Sequence, residues 1–366
     1  MRKFFSNILF NINLVVAVLL VLAYLSVYIN PQHFWPLAFL GLLYPFLLIA
    51  NIAFIIIWAI RLKRQVFLSL IVILVGWTFL SRYIQLNLPL SSKKENSEKH
   101  IDFKILSYNV RLFDLYNWVK KPNTGQGIFG LVKREAPDII CFQEFYTREK
   151  GNFSESGIIG QLKHAKYQHI KYTLRKSKGS SFGIATFSTY PIVKRGEIHF
   201  SKTYNACIFS DIKIDEDTIR VYNCHLQSVR FIKSDYDFID TLKFKYSQKQ
   251  VNSVFDITTR LKWAFRRRAL QADSIAAHIR RSPHPVIVCG DFNDSPVSYT
   301  YQTIRQNLHD AFIEAGSGIG HTYLGKFPAY RIDYILYDKS FEAEKYHSPK
   351  LELSDHYPVL CEISKK

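Results

Sequence analysis

Residues 286–296 read VIVCGDFNDSP. The β-branched and apolar run Val286–Cys289 stops at Gly290, and Asp291, Asn293 and Asp294 follow within four positions. A strand ending this way puts carboxylates and an amide where the core runs out. Four other places repeat the device. Phe103–Tyr108 leads to Asn109, Ile139–Phe142 to Gln143 and Glu144, and Val221–Cys224 to His225, while Asp355 and His356 precede the apolar run from Val359. Oxygen donors from Asn, Asp and Glu, without cysteine, suit a hard cation such as Mg²⁺, with Mn²⁺ as a substitute. Two histidines beside such a cation suit phosphate-ester chemistry, in which positive charge offsets the phosphoryl oxygens and a base takes a proton from water. Taken singly, these residues have plainer readings. Asn109 fits a turn, Glu144 a solvated strand end, His225 a satisfied core histidine and Asp333 a strand-capping acid.

Short β-rich runs must hold these groups. From Ile101 onward the pattern predicts strands at Phe103–Asn109, Ile139–Glu144, Tyr167–Tyr172, Gly183–Ser188, Ile192–Phe200, Ala206–Ile214, Thr218–Leu226, Val286–Asp291, Ile332–Tyr337 and Val359–Ile363. Helices are predicted at Gly127–Glu135, Glu155–His164, Lys262–Arg281 and Ser298–Asn307. Strands with helices between them indicate an α/β protein of two packed sheets or one large one. Ligands in such proteins gather beyond the strand ends.

Six blocks in chain order carry a resemblance: ILSYNV (105–110), DIICFQE (138–144), VYNCHL (221–226), GDFND (290–294), RIDYIL (331–336) and SDHYPV (354–359). Over about residues 101–364 the chain resembles the endonuclease/exonuclease/phosphatase superfamily, of the deoxyribonuclease and neutral sphingomyelinase kind. The resemblance implies a four-layer sandwich, two packed mixed β-sheets flanked by helices, and metal-dependent hydrolysis of a phosphate ester. By motif position it implies Asn109 and Glu144 as Mg²⁺ ligands, with Asp355 completing the metal environment. It implies His356 paired with Asp333, Asp291 and Asn293 acting on the attacking water or the phosphoryl oxygens, and His225 as a further catalytic histidine. A tyrosine is usual at the His225 position in apurinic endonucleases, which argues against that substrate.

The first 90 residues have a different character. Apolar runs at about Leu14–Ile29 (extended by Ile8–Phe10 and Ile12), Phe34–Ile60 and Val66–Leu80 have no Asp, Glu, Lys or Arg at their centres. They predict three transmembrane helices, since about 20 apolar residues span the hydrocarbon core. Arg2 and Lys3 precede the first run, Asn30–His33 has no Lys or Arg, and Arg61, Lys63 and Arg64 follow the second. Positive loops stay inside, so the catalytic part is expected outside the cell (inner) membrane. The five cysteines have no regular spacing and read as buried free thiols, which favours a reducing compartment instead.

The expected organisation is a membrane region at 1–90, a polar linker at 91–100 and a catalytic domain at 101–366 with a basic insertion at about 230–265. Net charge is +18, of which residues 1–100 carry +7 and the remainder +11. A basic domain suits an anionic partner: lipid head group, small phosphoester or nucleic acid. The aromatic and basic stretch 230–268 reads either as a surface for lipid or phosphodiester, or as a solvated helical insertion. The expected activity is that of a membrane-anchored phosphoesterase, with a DNA or RNA nuclease as the alternative. A non-catalytic membrane scaffold is disfavoured by the complete residue set. No protein partner is evident.

Overall fold

A computed structural model describes residues 2–86, 101–177, 179–229, 248–325 and 330–366. The expected linker and the first part of the basic insertion, 230–247, lie outside the described residues. The chain forms two compact units, one of Met1–Ile84, Val229–Ala272 and Asp294–Ile304, the other of Gln85–Ser228, Asp273–Asn293 and Arg305–Lys366.

The second unit holds two six-stranded sheets. Its strands are β1 (Phe103–Asn109), β2 (Ile139–Thr147), β3 (Tyr167–Arg175), β4 (Ser181–Ser188), β5 (Ile192–Ile198), β6 (Ala206–Ile214), β7 (Asp217–His225), β8 (Val286–Asp291), β9 (His309–Asp310), β10 (Asp333–Tyr337), β11 (Phe341–His347) and β12 (Val359–Lys365). One sheet runs β11-β12-β1-β2-β4-β3 and the other β9-β10-β8-β7-β6-β5. Each has one parallel pair at its centre, β1–β2 and β7–β8, with antiparallel neighbours. Parallel neighbours end at the same edge, so Asn109 and Glu144 emerge together in one sheet and His225 and Asp291 in the other.

Both faces of the central strands are covered, which is why β8 reads as a continuous apolar run rather than an alternating one. Between the sheets Ile105, Cys141, Val221, Ile287, Cys289, Ile335 and Val359 form a closed apolar core. Outside the first sheet, Leu106, Ile140 and Leu360 meet Ile128 and Val132 of the helix Thr124–Glu135 and Ile158 of the helix Glu155–Gln161. All five cysteines are buried and free.

Gly290 marks a place where only glycine fits. Its φ is +139°, and a Cβ there would meet the Cys224 carbonyl oxygen at 1.9 Å on the adjacent strand. Gly290→Ala is expected to force β7 and β8 apart between His225 and Asp291 and to cost about 2–4 kcal/mol in backbone strain and overpacking. A thermal melt reads this as a lowered midpoint, and an unchanged midpoint would contradict it.

In the first unit the three apolar runs are helical but not three uninterrupted spans. The first is one helix, Arg2–Leu25. The second is a pair, Pro36–Leu42 and Tyr44–Ile60, bent by 62°. Pro45 lies in the first turn of the later helix, where it has no N–H to continue the earlier one. The third run divides into Val66–Val75 and Trp77–Leu80 at Gly76, where a Cβ would strike the Tyr24 ring. Among the described residues, by length and composition one helix, or two if the bent pair is one span, could cross a membrane.

Buried polar groups tie these segments together. Trp58 Nε1 donates to Asn13 Oδ1 (2.9 Å), Asn13 Nδ2 to Ser69 Oγ (2.7 Å) and Ser69 Oγ to Asn51 Oδ1 (2.8 Å). Satisfied networks of this kind specify how apolar helices pack.

Candidate active site

The strand ends bring the expected residues to one place. Asp291, 1% exposed, is its centre. Its Oδ2 accepts from Asn109 Nδ2 at 3.0 Å and from Asn293 Nδ2 at 3.0 Å, and its Oδ1 accepts from the Asn293 backbone N–H at 2.7 Å. Asn293 takes the left-handed conformation, φ +53°, that folds its amide back over the carboxylate, and it also donates to the Leu226 carbonyl. Asp333, across the ladder from Asp291, accepts from His356 Nδ1 at 3.0 and 3.2 Å. The other ring nitrogen of His356 lies 3.8 Å from Asp291 Oδ2, and His225 Nε2 lies 3.8 Å from that same oxygen. Both separations exceed direct hydrogen bonding. Two imidazoles therefore flank one oriented carboxylate.

Glu144 reaches this group through a local irregularity. The pairing of β2 with β4 shifts register between Phe142 and Phe145, and Glu144 has φ +48°. A bulge re-aims one side chain out of the alternation, and a non-glycine residue held at positive φ marks a site the surroundings enforce. Glu144 Oε1 lies 3.4 Å from Asn109 Nδ2 and 3.8 Å from His225 Nε2. Asp355 pairs with Arg111 Nε at 3.2 Å. Ser354 joins the same corner by donating to the Asn109 carbonyl at 2.8 Å.

Burial sets the electrostatics. It pushes Asp291 up to about 6; the neighbouring Asp333 adds to this, while His356, His225 and the Asn109 amide oppose it. Burial works against the charged form of His356, yet the Asp333 and Asp291 carboxylates overcome it and push the ring up to about 10. Burial also raises Glu144, and Asp355 adds to the rise.

The chemistry of the donors fits a hard cation. Asn109, Glu144 and Asp355 offer only oxygen, and the mutual repulsion of Glu144 and Asp355 is what a divalent ion would relieve. A second group, Asp291, Asp333 and His356, has ligand atoms within 4.8 Å of one another. There His356 Nδ1 bonds Asp333 and its Nε2 faces Asp291, and the two carboxylates favour the charged form of the ring.

Several positioning residues were not assigned from sequence. Gln143 Nε2 donates to Asn223 Oδ1 at 2.8 Å, and Asn223 Nδ2 donates to the Ala185 carbonyl at 2.9 Å, which bridges the two sheets directly beneath the site. Thr322 Oγ1 accepts from the backbone N–H groups of Ile332 and Asp333. Polar letters inside apolar runs, as in CFQE and VYNC, were the available signal for the first pair. Nothing local marks Thr322 or Arg111. Asp294, the second acid of GDFND, belongs to the first unit, where Arg268 and Thr300 take up its carboxylate.

The sequence profile of the Endonuclease/Exonuclease/phosphatase family matches residues 106–356. The chain belongs to this family. Its members are phosphoric ester hydrolases, and so this endonuclease/exonuclease/phosphatase chain is an enzyme of that class. A second profile, a domain of unknown function (DUF8431), matches residues 3–83. Among solved structures, an endonuclease/exonuclease/phosphatase from Beutenbergia cavernae aligns over 73% of this chain and 72% of its own, at 14% identity and TM-score 0.51. The human Nocturnin catalytic domain with bound sulfate aligns over 72% and 94%, at 17% identity and TM-score 0.50. These likenesses establish the two-sheet fold. No match is found among curated proteins.

Proposed function

We propose that this family member is a membrane-anchored phosphoesterase that requires a divalent cation, Mg²⁺ with Mn²⁺ as a substitute, and cleaves a phosphodiester or phosphomonoester by attack of water. The observation that carries the chemistry is the Asp291 carboxylate, fixed by Asn109 and Asn293 and flanked by His356 and His225 at 3.8 Å each. Asn109, Glu144 and Asp355 would hold the cation, which when bound neutralises charge on the phosphoryl oxygens. Asp291 orients water and accepts its proton. Asp333 holds His356 in register, and the charged ring faces the developing phosphoryl charge. Such preorganised charge is the usual major source of rate enhancement. Asn293 and His225 complete the polar wall around the phosphate.

Membrane anchoring is supported by the first unit. A helix of 24 residues is about 36 Å long, enough for a bilayer core. Only 28% of its most apolar window is buried, and Phe4, Val15 and Val18 lie exposed, unlike the core helix of a soluble domain. The same ends of the apolar runs share one boundary: Ser26 and Asn30 bond Val297 and Tyr299, and Arg82 bonds Pro296 and Gln302. Lys3, Arg61, Lys63 and Arg64 belong to the opposite ends. Positive charge at those ends, set against Arg82 at this boundary, favours the cytoplasmic side there and leaves the catalytic domain extracytoplasmic.

Full-length protein assayed against vesicle phospholipid, soluble phosphoesters and plasmid DNA tests this reading. Chelation with EDTA is expected to abolish turnover and Mg²⁺ to restore it; equal turnover in EDTA would contradict the cation requirement. The charge of +11 over residues 101–366 favours nuclease action as the second reading. DNA cleavage with a steep salt dependence and no other turnover would select it.

A further inference from the structure

The long helix Gln248–Ile279 carries an apolar stripe that the hydrolytic chemistry does not use. Phe255, Trp263 and Leu270 are 70%, 44% and 49% exposed. They are eight and seven residues apart, which at 3.6 residues per turn places them within about 80° of one another. The opposite face is buried through Leu261, Ala264, Arg268 and Ala272.

Basic groups border the stripe. Arg267 lies 5.7 Å from the Trp263 ring centroid, and Lys262 lies 5.0 Å from that of Trp35. Along the Phe255 edge of the stripe, where Arg266 falls between Phe255 and Leu270, the helix packs on the segment between the first two apolar runs. Phe265 meets Phe39 edge to face at 5.2 Å, Arg266 Nη2 donates to the Gln32 carbonyl at 3.1 Å, and Gln32 Nε2 donates to the Arg266 carbonyl. Tyr28 and Phe34 are exposed beside that segment in the sequence. Aromatic rings and cationic side chains at the ends of apolar helices are the composition of a membrane–water boundary.

We propose that residues 255–270 form an interfacial helix that lies on an anionic lipid surface, with Phe255, Trp263 and Leu270 entering the upper acyl region and Lys262 and Arg267 meeting lipid phosphates. Charge complementarity selects this occupant: the cations flank the apolar stripe, and each Lys or Arg near an anionic leaflet is attracted to it. The proposal rests on the anchoring read above, and the experiment separates the two.

Full-length protein is placed in phosphatidylcholine bilayers with and without phosphatidylglycerol, using lipid brominated near the head group. The chain has five tryptophans, so the difference between wild type and Trp263→Phe isolates Trp263, and Trp77→Phe isolates exposed Trp77 on the apolar helices. The expected result is loss of Trp263 emission to brominated lipid in the anionic bilayer, shielding from aqueous acrylamide, and weaker quenching after Lys262→Gln with Arg267→Gln. Quenching of Trp77 without quenching of Trp263 overturns the interfacial helix alone. Quenching of neither overturns the anchoring with it. Equal quenching with and without phosphatidylglycerol overturns the assignment to anionic lipid.

Discussion

Asp291→Ala is expected to reduce turnover by at least ~10²-fold while the protein stays folded, the loss typical when one acid–base or electrostatic group is removed from a preorganised site. Asp291 accepts from both amides and lies 3.8 Å from a ring nitrogen of each imidazole. Removing its carboxylate leaves the Asn109 and Asn293 amides without their common acceptor, so Asp291→Asn serves as the conservative companion. It keeps the shape and loses the base. His356→Ala is expected to cost as much. Asp333 acts through His356, to which it is bonded at 3.0 Å. Adding Asp333→Asn to His356→Ala is then expected to cost little more, because residues acting as one unit are strongly non-additive. Rates from folded variants, checked by circular dichroism, decide this. Near-normal hydrolysis by Asp291→Asn would remove that residue from the chemistry.

The second large effect is on stability. Asp310→Ala is expected to cost about 3–5 kcal/mol, the penalty for breaking a buried ion pair on one side. Arg331 is 1% exposed and Asp310 fully buried, and Arg331 Nη1 meets both carboxylate oxygens at 2.9 and 2.8 Å. The guanidinium is also packed against the Phe312 and Tyr334 rings, 4.7 and 4.8 Å from their centroids. Asp310 Oδ1 further accepts from the Phe312 N–H and so caps the next helix. Arg331 comes two residues before Asp333, so the pair fixes the start of the strand that delivers the partner of His356. Replacing both residues together, Asp310→Leu with Arg331→Met, is expected to restore most of the loss, since a well-packed apolar pair matches a buried ion pair. Denaturant unfolding measures both variants. A single variant within about 1 kcal/mol of wild type would contradict the assignment.

Much of the catalytic fold was legible because its strands are short, apolar and ended by chemistry. Phe103–Asn109, Ala206–Ile214 and Val286–Asp291 have the bounds their residues imply. The strand Phe341–His347 was missed. It is an edge strand whose exposed face bears Glu342 and Lys345, and charged edges resist unwanted pairing while hiding the strand from an apolar reading. The breaks at Pro45 and Gly76 were written in the sequence but outweighed there by hydropathy. In the site, Asn109, Glu144, His225, Asn293, Asp333 and His356 lie close to Asp291 or to one another, while Asp355 pairs with Arg111. The bridge from Gln143 to Asn223 and the pair of Arg331 with Asp310 join residues 80 and 21 positions apart. No local pattern announces such contacts. The bulge that turns Glu144 toward the site is equally silent, since positive φ at a glutamate has no sequence signature.

The proposed attack of water on phosphorus takes place beside Asp291, in the cluster it forms with Asn109, Glu144 and His356. Hydrolysis in ¹⁸O-labelled water with Mg²⁺ tests it most directly. The expected result is label in the phosphoryl product of the wild-type protein and its loss in Asp291→Asn. Label appearing in the released alcohol instead, or undiminished labelling of phosphate by Asp291→Asn, would contradict it.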